Sequence, residues 1–261
     1  MRDLRGRIQR VLAGLALCAA IGLVPAQAAI GGLKVGSFAA GLFYENLTRT
    51  VVWKGDAAAS RIQANLVSAR AELGFGKGIL VSLSAGLALT DFEDLTFTSL
   101  PISLQYGAPP LKGFSLGAEA VAPLLKFSDF EISGTGRLVY SFGMSKTWPL
   151  EGFAVEGKAA GSASWAEAAL GPRVTYVFSG RVVPYLEICV RWLGAGFKMT
   201  ETLGDLVGSQ TKHVRGDISF SAVLGADFSV TDRIAVKAKA GILPYAGGVD
   251  SLLSVGVLYK F

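Results

Sequence analysis

The final eleven residues, Ser251 to Phe261, admit few conformations. Leu253, Val255, Val257, Tyr259 and Phe261 fall on one side of an extended chain, and Ser254, Gly256, Leu258 and Lys260 on the other. A period of two is that of a strand with one apolar and one mixed face. At about 3.3 Å per residue and a tilt near 45°, such a stretch rises about 25 Å, enough for a strand-built wall to cross a hydrocarbon layer. The rest of the chain has to supply neighbours of the same kind, and it lacks a persistent helical period. Beyond residue 28 its longest uncharged run, Leu95 to Leu111, contains Thr, Ser, Gln and three prolines, so it is no membrane helix. Mean hydropathy is nevertheless +0.45. Backbone groups in hydrocarbon must be paired, and without helical spans a closed antiparallel barrel is the arrangement that pairs them.

The N-terminus carries an export pattern. Arg2, Arg5, Arg7 and Arg10 precede an apolar run from Val11 to Val24, followed by Pro25 and Ala26-Gln27-Ala28. This reads as a secretory signal peptide over residues 1–28, cleaved after Ala28, with the barrel over 29–261. The whole chain has 25 basic and 20 acidic residues. Removing the leader takes away four Arg and one Asp, leaving 21 against 19, so the basic balance lies largely in the leader and gives no reason to expect nucleic acid. Cys189 is the one cysteine left, so no disulfide forms within the mature chain.

The terminal stretch resembles the C-terminal signal of bacterial outer-membrane β-barrels. In that class a final Phe and the alternating apolar residues before it are read by the barrel-assembly machinery. The resemblance implies that Leu253, Val255, Val257, Tyr259 and Phe261 form the assembly signal, that lipid of the bacterial outer membrane surrounds the protein, and that the fold is all-β.

We read about twelve strands, with ten as the alternative: 34–44, 60–73, 78–90, 95–107, 113–123, 129–142, 152–165, 168–179, 183–198, 215–230, 233–243 and 251–261. Twelve place Tyr106, Tyr140, Phe142, Tyr176, Phe178, Tyr259 and Phe261 at the periplasmic ends of descending strands, where an aromatic girdle is expected. Gly74–Gly78 and Thr231-Asp232-Arg233 read as tight periplasmic turns, Glu45–Ala59 and Thr200–Val214 as longer outer loops, and Asp91–Asp94 as a short acidic one. Trp165 and Trp192 are expected toward lipid in the outer half, and Trp148 in a periplasmic turn. Pro110-Leu111-Lys112-Gly113-Phe114 recurs as Pro149-Leu150-Glu151-Gly152-Phe153, the same turn chemistry used twice.

Parity then sorts the faces. Toward lipid fall Ile79, Val81, Leu83, Leu87, Leu89, Leu186, Ile188, Val190, Ile218, Phe220, Leu224, Ile234, Val236 and Ile242. Toward the lumen fall Arg70, Glu72, Glu119, Glu131, Arg137, Glu156, Lys158, Arg173, Glu187, Arg191, Asp217, Asp227, Lys237, Lys239 and Lys260.

Catalytic chemistry finds little support. Barrel hydrolases of this membrane resemble one another in using a histidine base beside a serine or carboxylate. The single histidine, His213, sits between Lys212 and Val214, with Arg215 following, and reads as a solvated loop residue. One His and one Cys do not make a metal cluster, and Gly194-Ala195-Gly196 lies within a strand pattern rather than a phosphate loop. No cofactor is expected, and the chain is not expected to be an enzyme. The favoured reading is a narrow channel for small polar solutes, made anion-favouring by Lys237, Lys239 and Lys260 on one wall. A closed barrel for adhesion, envelope integrity or assembly is the second reading, in which the lysines pair with Glu119, Asp227 or Glu187, and a barrel hydrolase is the third.

Overall fold

The computed structural model describes residues 29–30, 33–56, 58–99, 104–105, 110–150, 155–177, 180–214, 217–245 and 248–261. The leader, Tyr106 and Phe178 therefore lie outside the described residues. We label the long strands β1 (Leu33–Val52), β2 (Ala59–Phe75), β3 (Leu80–Glu93), β4 (Leu111–Phe127), β5 (Phe130–Leu150), β6 (Gly157–Tyr176), β7 (Val182–Leu203), β8 (Leu206–His213), β9 (Asp217–Ser229), β10 (Ile234–Tyr245) and β11 (Gly248–Lys260). All neighbours are antiparallel. The sheet closes where β11 meets β1, with Val257 opposite Leu42 and Lys260 opposite Ala39. Twelve strands belong to the sheet, and ten of them form the closed ring. The other two are the short Ala29–Ile30 and β8, which extends the hairpin of β7 outside the ring. Among the described residues no helix is long and apolar enough to cross a membrane.

The ring of ten departs from the twelve segments read from the sequence at two places. Among the described residues of 95–107, Thr96–Phe97 pairs with Leu104–Gln105 in a separate two-stranded sheet, and Leu95 and Phe97 are fully buried. Their apolar character serves an internal core, not a lipid-facing strand. Segments 152–165 and 168–179 are one strand, β6, in which Ala159, Ala163, Trp165, Glu167 and Ala169 follow each other along the inner face. These two changes reverse the direction of 113–123 and 129–142. Tyr140, Phe142 and Trp148 therefore stand toward the end that carries the long connections, not the end with the tight turns. Trp165 is buried and donates to Thr90 Oγ1 at 3.1 Å, so it faces inward, whereas Trp192 is exposed as expected. The acidic stretch Asp91–Asp94 is no short loop. Strand β3 runs to Glu93 and the connection that follows spans 94–110.

Outward positions form an apolar band. Leu87, Leu89, Leu186, Ile188, Val190, Ile218, Phe220, Leu224 and Ile242 are all exposed, as are Leu253, Val255, Val257, Tyr259 and Phe261 of the assembly signal. Tyr44, Phe114, Tyr140 and Trp192 edge this band toward the loop end, and Phe130, Tyr176, Tyr259 and Phe261 toward the turn end. Leu224, 65 % exposed, sits midway along β9. Leu224→Arg is expected to cost about 2–4 kcal/mol of folding free energy in lipid vesicles, because a guanidinium at mid-depth is desolvated by hydrocarbon. Urea titration in vesicles measures it, and an unchanged midpoint would place this face away from lipid.

Candidate functional site

The interior is layered. In the lower half, glycines allow aromatic rings to lie flat against the wall. Gly256 stands opposite Phe43 and Gly225 opposite Tyr185. A β-carbon built on Gly256 would lie 2.3 Å from Phe43 Cδ1, and one on Gly225 2.3 Å from Tyr185 Cζ, so each ring occupies the space a side chain would take. Each ring then supports a guanidinium: Arg70 lies 4.8 Å above the Phe43 centroid and Arg173 4.1 Å above that of Tyr185.

The guanidinium groups start a network across the lumen. Glu119 is central: Arg70 Nη2 is 3.2 Å away, Arg173 Nη2 3.5 Å and Lys239 Nζ 3.6 Å. Arg173 also donates through Nε to Glu187 Oε1 at 2.8 Å, and Arg70 Nε lies 3.1 Å from Glu72 Oε1. Lys237 donates to Glu72 at 2.7 Å and lies 3.5 Å from Asp227. A second branch links Glu45 to Arg137 and Glu167 to Arg191, whose Nε donates to Ser221 Oγ at 2.8 Å. Six cations (Arg70, Arg137, Arg173, Arg191, Lys237, Lys239) thus meet six carboxylates (Glu45, Glu72, Glu119, Glu167, Glu187, Asp227). In a low-dielectric lumen such charges persist only when paired and hydrogen-bonded. The cavities left along this belt are small, about 40, 20 and 10 Å³.

Above the belt, toward the loop end, the bore is filled by apolar side chains. Trp53, Phe92, Phe97, Phe197, Leu95, Leu111, Met144 and Trp165 are each at most 1 % exposed. Phe197 packs edge-on against Phe92 at 5.1 Å and against Phe97 at 5.4 Å. The segment entering the 94–110 connection closes over them. Thr98 N donates to Gln210 Oε1 at 2.8 Å, and Ser99 Oγ donates to the buried Glu201 at 2.6 Å. Lys212 bridges to Asp56 at 2.6 Å with its ammonium 5.6 Å from the Phe97 ring.

Of the residues expected in the lumen, Arg70, Glu72, Glu119, Arg137, Arg173, Glu187, Arg191, Asp227, Lys237 and Lys239 belong to this belt, while the side chain of Asp217 lies outside the described residues. Glu131 points inward near the turns, where Ser133 Oγ donates to it at 3.1 Å. Lys260 is on the inner parity but at the exposed rim, donating to Ser229 Oγ, so it does not join the other two lysines in one basic wall. Lys158 and Glu156 are exposed on the outside of the loop end, because β6 keeps one unbroken parity and 158 alternates with the inward Ala159. Glu45 and Glu167 were missed. The pattern places the first at the start of a loop, although Phe43, Glu45, Leu47 and Arg49 continue the strand alternation, and places the second in a break where β6 runs on unbroken. Cys189 is buried inside the barrel, and His213 lies on the outside of β8.

No family model and no curated protein matches this sequence. Solved structures do resemble it. The outer membrane protease OmpT from Escherichia coli superposes with a TM-score of 0.50 over 88 % of this chain and 98 % of that one, at 10 % identity. The translocator domain of the autotransporter NalP from Neisseria meningitidis gives 0.46 over 99 % and 95 %, at 13 % identity. Ail, the attachment invasion locus protein of Yersinia pestis, gives 0.33 over 86 % and 97 %, at 10 % identity. The chain thus has the fold of the bacterial outer-membrane β-barrel proteins.

Proposed function

We propose that the chain is a closed barrel of the bacterial outer membrane that conducts no solute and acts through the surface of its loop end, in adhesion, envelope integrity or assembly with a partner. The observation that carries this reading is the belt in which six cations pair with six carboxylates among the described residues, beneath an apolar plug. A passage for small polar solutes needs a continuous wet path, and two of the three lysines expected to favour anions, Lys237 and Lys239, are held by Glu72, Asp227 and Glu119 instead. The hydrolase reading would have to work from His213 on the outside of β8, in a cleft whose other polar side chains among the described residues are Ser145, Ser162, Ser164, Lys198 and Thr211. The leader over 1–28 would direct export, and the alternating stretch to Phe261 would engage the barrel-assembly machinery, with outer-membrane lipid as the surrounding solvent.

Planar-bilayer recording tests the reading. The purified barrel is expected to be electrically silent in molar KCl at moderate voltage. Reproducible unitary conductance steps would replace this reading with the narrow channel for small polar or anionic solutes.

A further inference from the structure

Immediately beyond the aromatic edge of the lipid band, the outer wall carries a feature that barrel closure does not need. Strands β5 to β8 continue past the ring as a four-stranded sheet, and their outward side chains align in rows. Ser145 faces Ser162, Ser162 faces Lys198, and Lys198 faces Thr211, one hydroxyl or amine on each strand. In the next row toward the membrane Ser164 faces Gly196, and Gly196 faces His213. A cleft of about 370 Å³ opens here. Two glycines shape it. Gly143, at φ 71°, sits in the irregularity that shifts the register of β5 against β6 between Ser141 and Met144. Gly196 lets the His213 ring lie over it, where a β-carbon would come within 3.2 Å of Nδ1. Just below, the Trp192 ring leans over Gly194, where a β-carbon would come within 2.8 Å of Cη2, so the indole stands between lipid and cleft.

Beside Met144, Ala163 and Phe197, the polar side chains of the lining are hydroxyls, an ammonium and an imidazole, and among the described residues it holds no carboxylate. Hydroxyls and cations without acids make a donor-rich surface suited to an anion that also carries hydroxyl groups. Its height directly outside the indole edge is that of a lipid headgroup layer. We infer that this cleft binds a phosphorylated sugar, with Lys198 taking the phosphate, the serines and Thr211 the sugar hydroxyls, and His213 closing one side. The source that fits the depth is the headgroup of a phosphorylated glycolipid in the surrounding leaflet. The inference is independent of whether the bore conducts.

The test uses the full-length barrel in zwitterionic detergent, titrated with a diphosphorylated glucosamine-disaccharide lipid, with its dephosphorylated form, and with soluble glucosamine 1-phosphate. Lys198→Ala should weaken the phosphorylated lipid about tenfold, the scale of one charge-assisted hydrogen bond. Gly196→Val, which displaces the His213 ring and fills the floor, should weaken it at least as much. Lys158→Ala, on the same face but outside the cleft, should change nothing. Competition by glucosamine 1-phosphate would assign recognition to the headgroup alone, and dependence on the acyl chains would assign it to the intact lipid; both support the site. Equal binding of the dephosphorylated lipid, unchanged affinity in both cleft variants, or an equal loss in Lys158→Ala would overturn it.

Discussion

Glu119→Ala is expected to lower the unfolding free energy of the barrel by about 3–5 kcal/mol, the cost of orphaning a buried ion network. Glu119 faces Arg70, Arg173 and Lys239 within 3.6 Å, and its side chain is 10 % exposed. Removing it leaves the belt with six cations and five carboxylates, and the extra positive charge sits on side chains largely withdrawn from solvent. Arg70 and Arg173 keep Glu72 and Glu187, and they are stacked on Phe43 and Tyr185, so neither can swing out to the rim. Lys239, whose ion pair is with Glu119 itself, should bear most of the loss. Two further variants separate charge from packing. Glu119→Gln keeps the shape and acceptor but not the charge and should fall between wild type and Ala, while Lys239→Ala in the Glu119→Ala background should recover part of the loss by restoring neutrality. Urea midpoints in lipid vesicles give the numbers. If Glu119→Ala unfolds with the wild-type midpoint, the belt carries no coupled electrostatic energy.

What the sequence made legible, and what it hid, follows from where each residue's contacts lie. Alternation is local: a side chain's neighbour at i+2 shares its face whatever the rest of the chain does. The outward faces of β3, β7, β9 and β10 and the inward positions of Arg70, Glu119 and Arg173 could therefore be read directly. Strand number depends instead on contacts between distant segments. Leu95 and Phe97 look like a lipid-facing strand until the aromatic rings of Phe92 and Phe197, from two other strands, are brought beneath them. Trp165 looks like a headgroup anchor until Thr90 is found beside its indole N–H. A charge in an apolar stretch, Glu167, looks like a break until its partner Arg191 on the next strand is found. The charges expected to line a passage are mostly present inside, but whether they line or fill it depends on pairing across the lumen, which no one-dimensional pattern records.

A second large effect is expected in the plug. Phe197→Ala should destabilise the barrel by about 3–5 kcal/mol, the range for truncating a fully buried aromatic side chain. Phe197 is 0 % exposed and packs against both Phe92 on the wall at 5.1 Å and Phe97 of the covering segment at 5.4 Å. Its loss removes the floor under Phe97, and the covering segment is then held mainly by Thr98 to Gln210, Ser99 to Glu201 and Lys212 over the ring. The damage should be graded by height. The ion-pair belt lies below the plug, so the lower ring should keep its protection from hydrogen exchange while amides at 95–99 exchange faster. Leu206→Ala, at a position 53 % exposed on β8, should cost little and serves as the control for a surface truncation at the same end. Trp53, whose ring lies 6.3 Å from that of Phe92, reports the loosening through its fluorescence. Were exchange at 95–99 to stay at the wild-type rate with a loss below about 1 kcal/mol, Phe197 would not hold the plug and cover together.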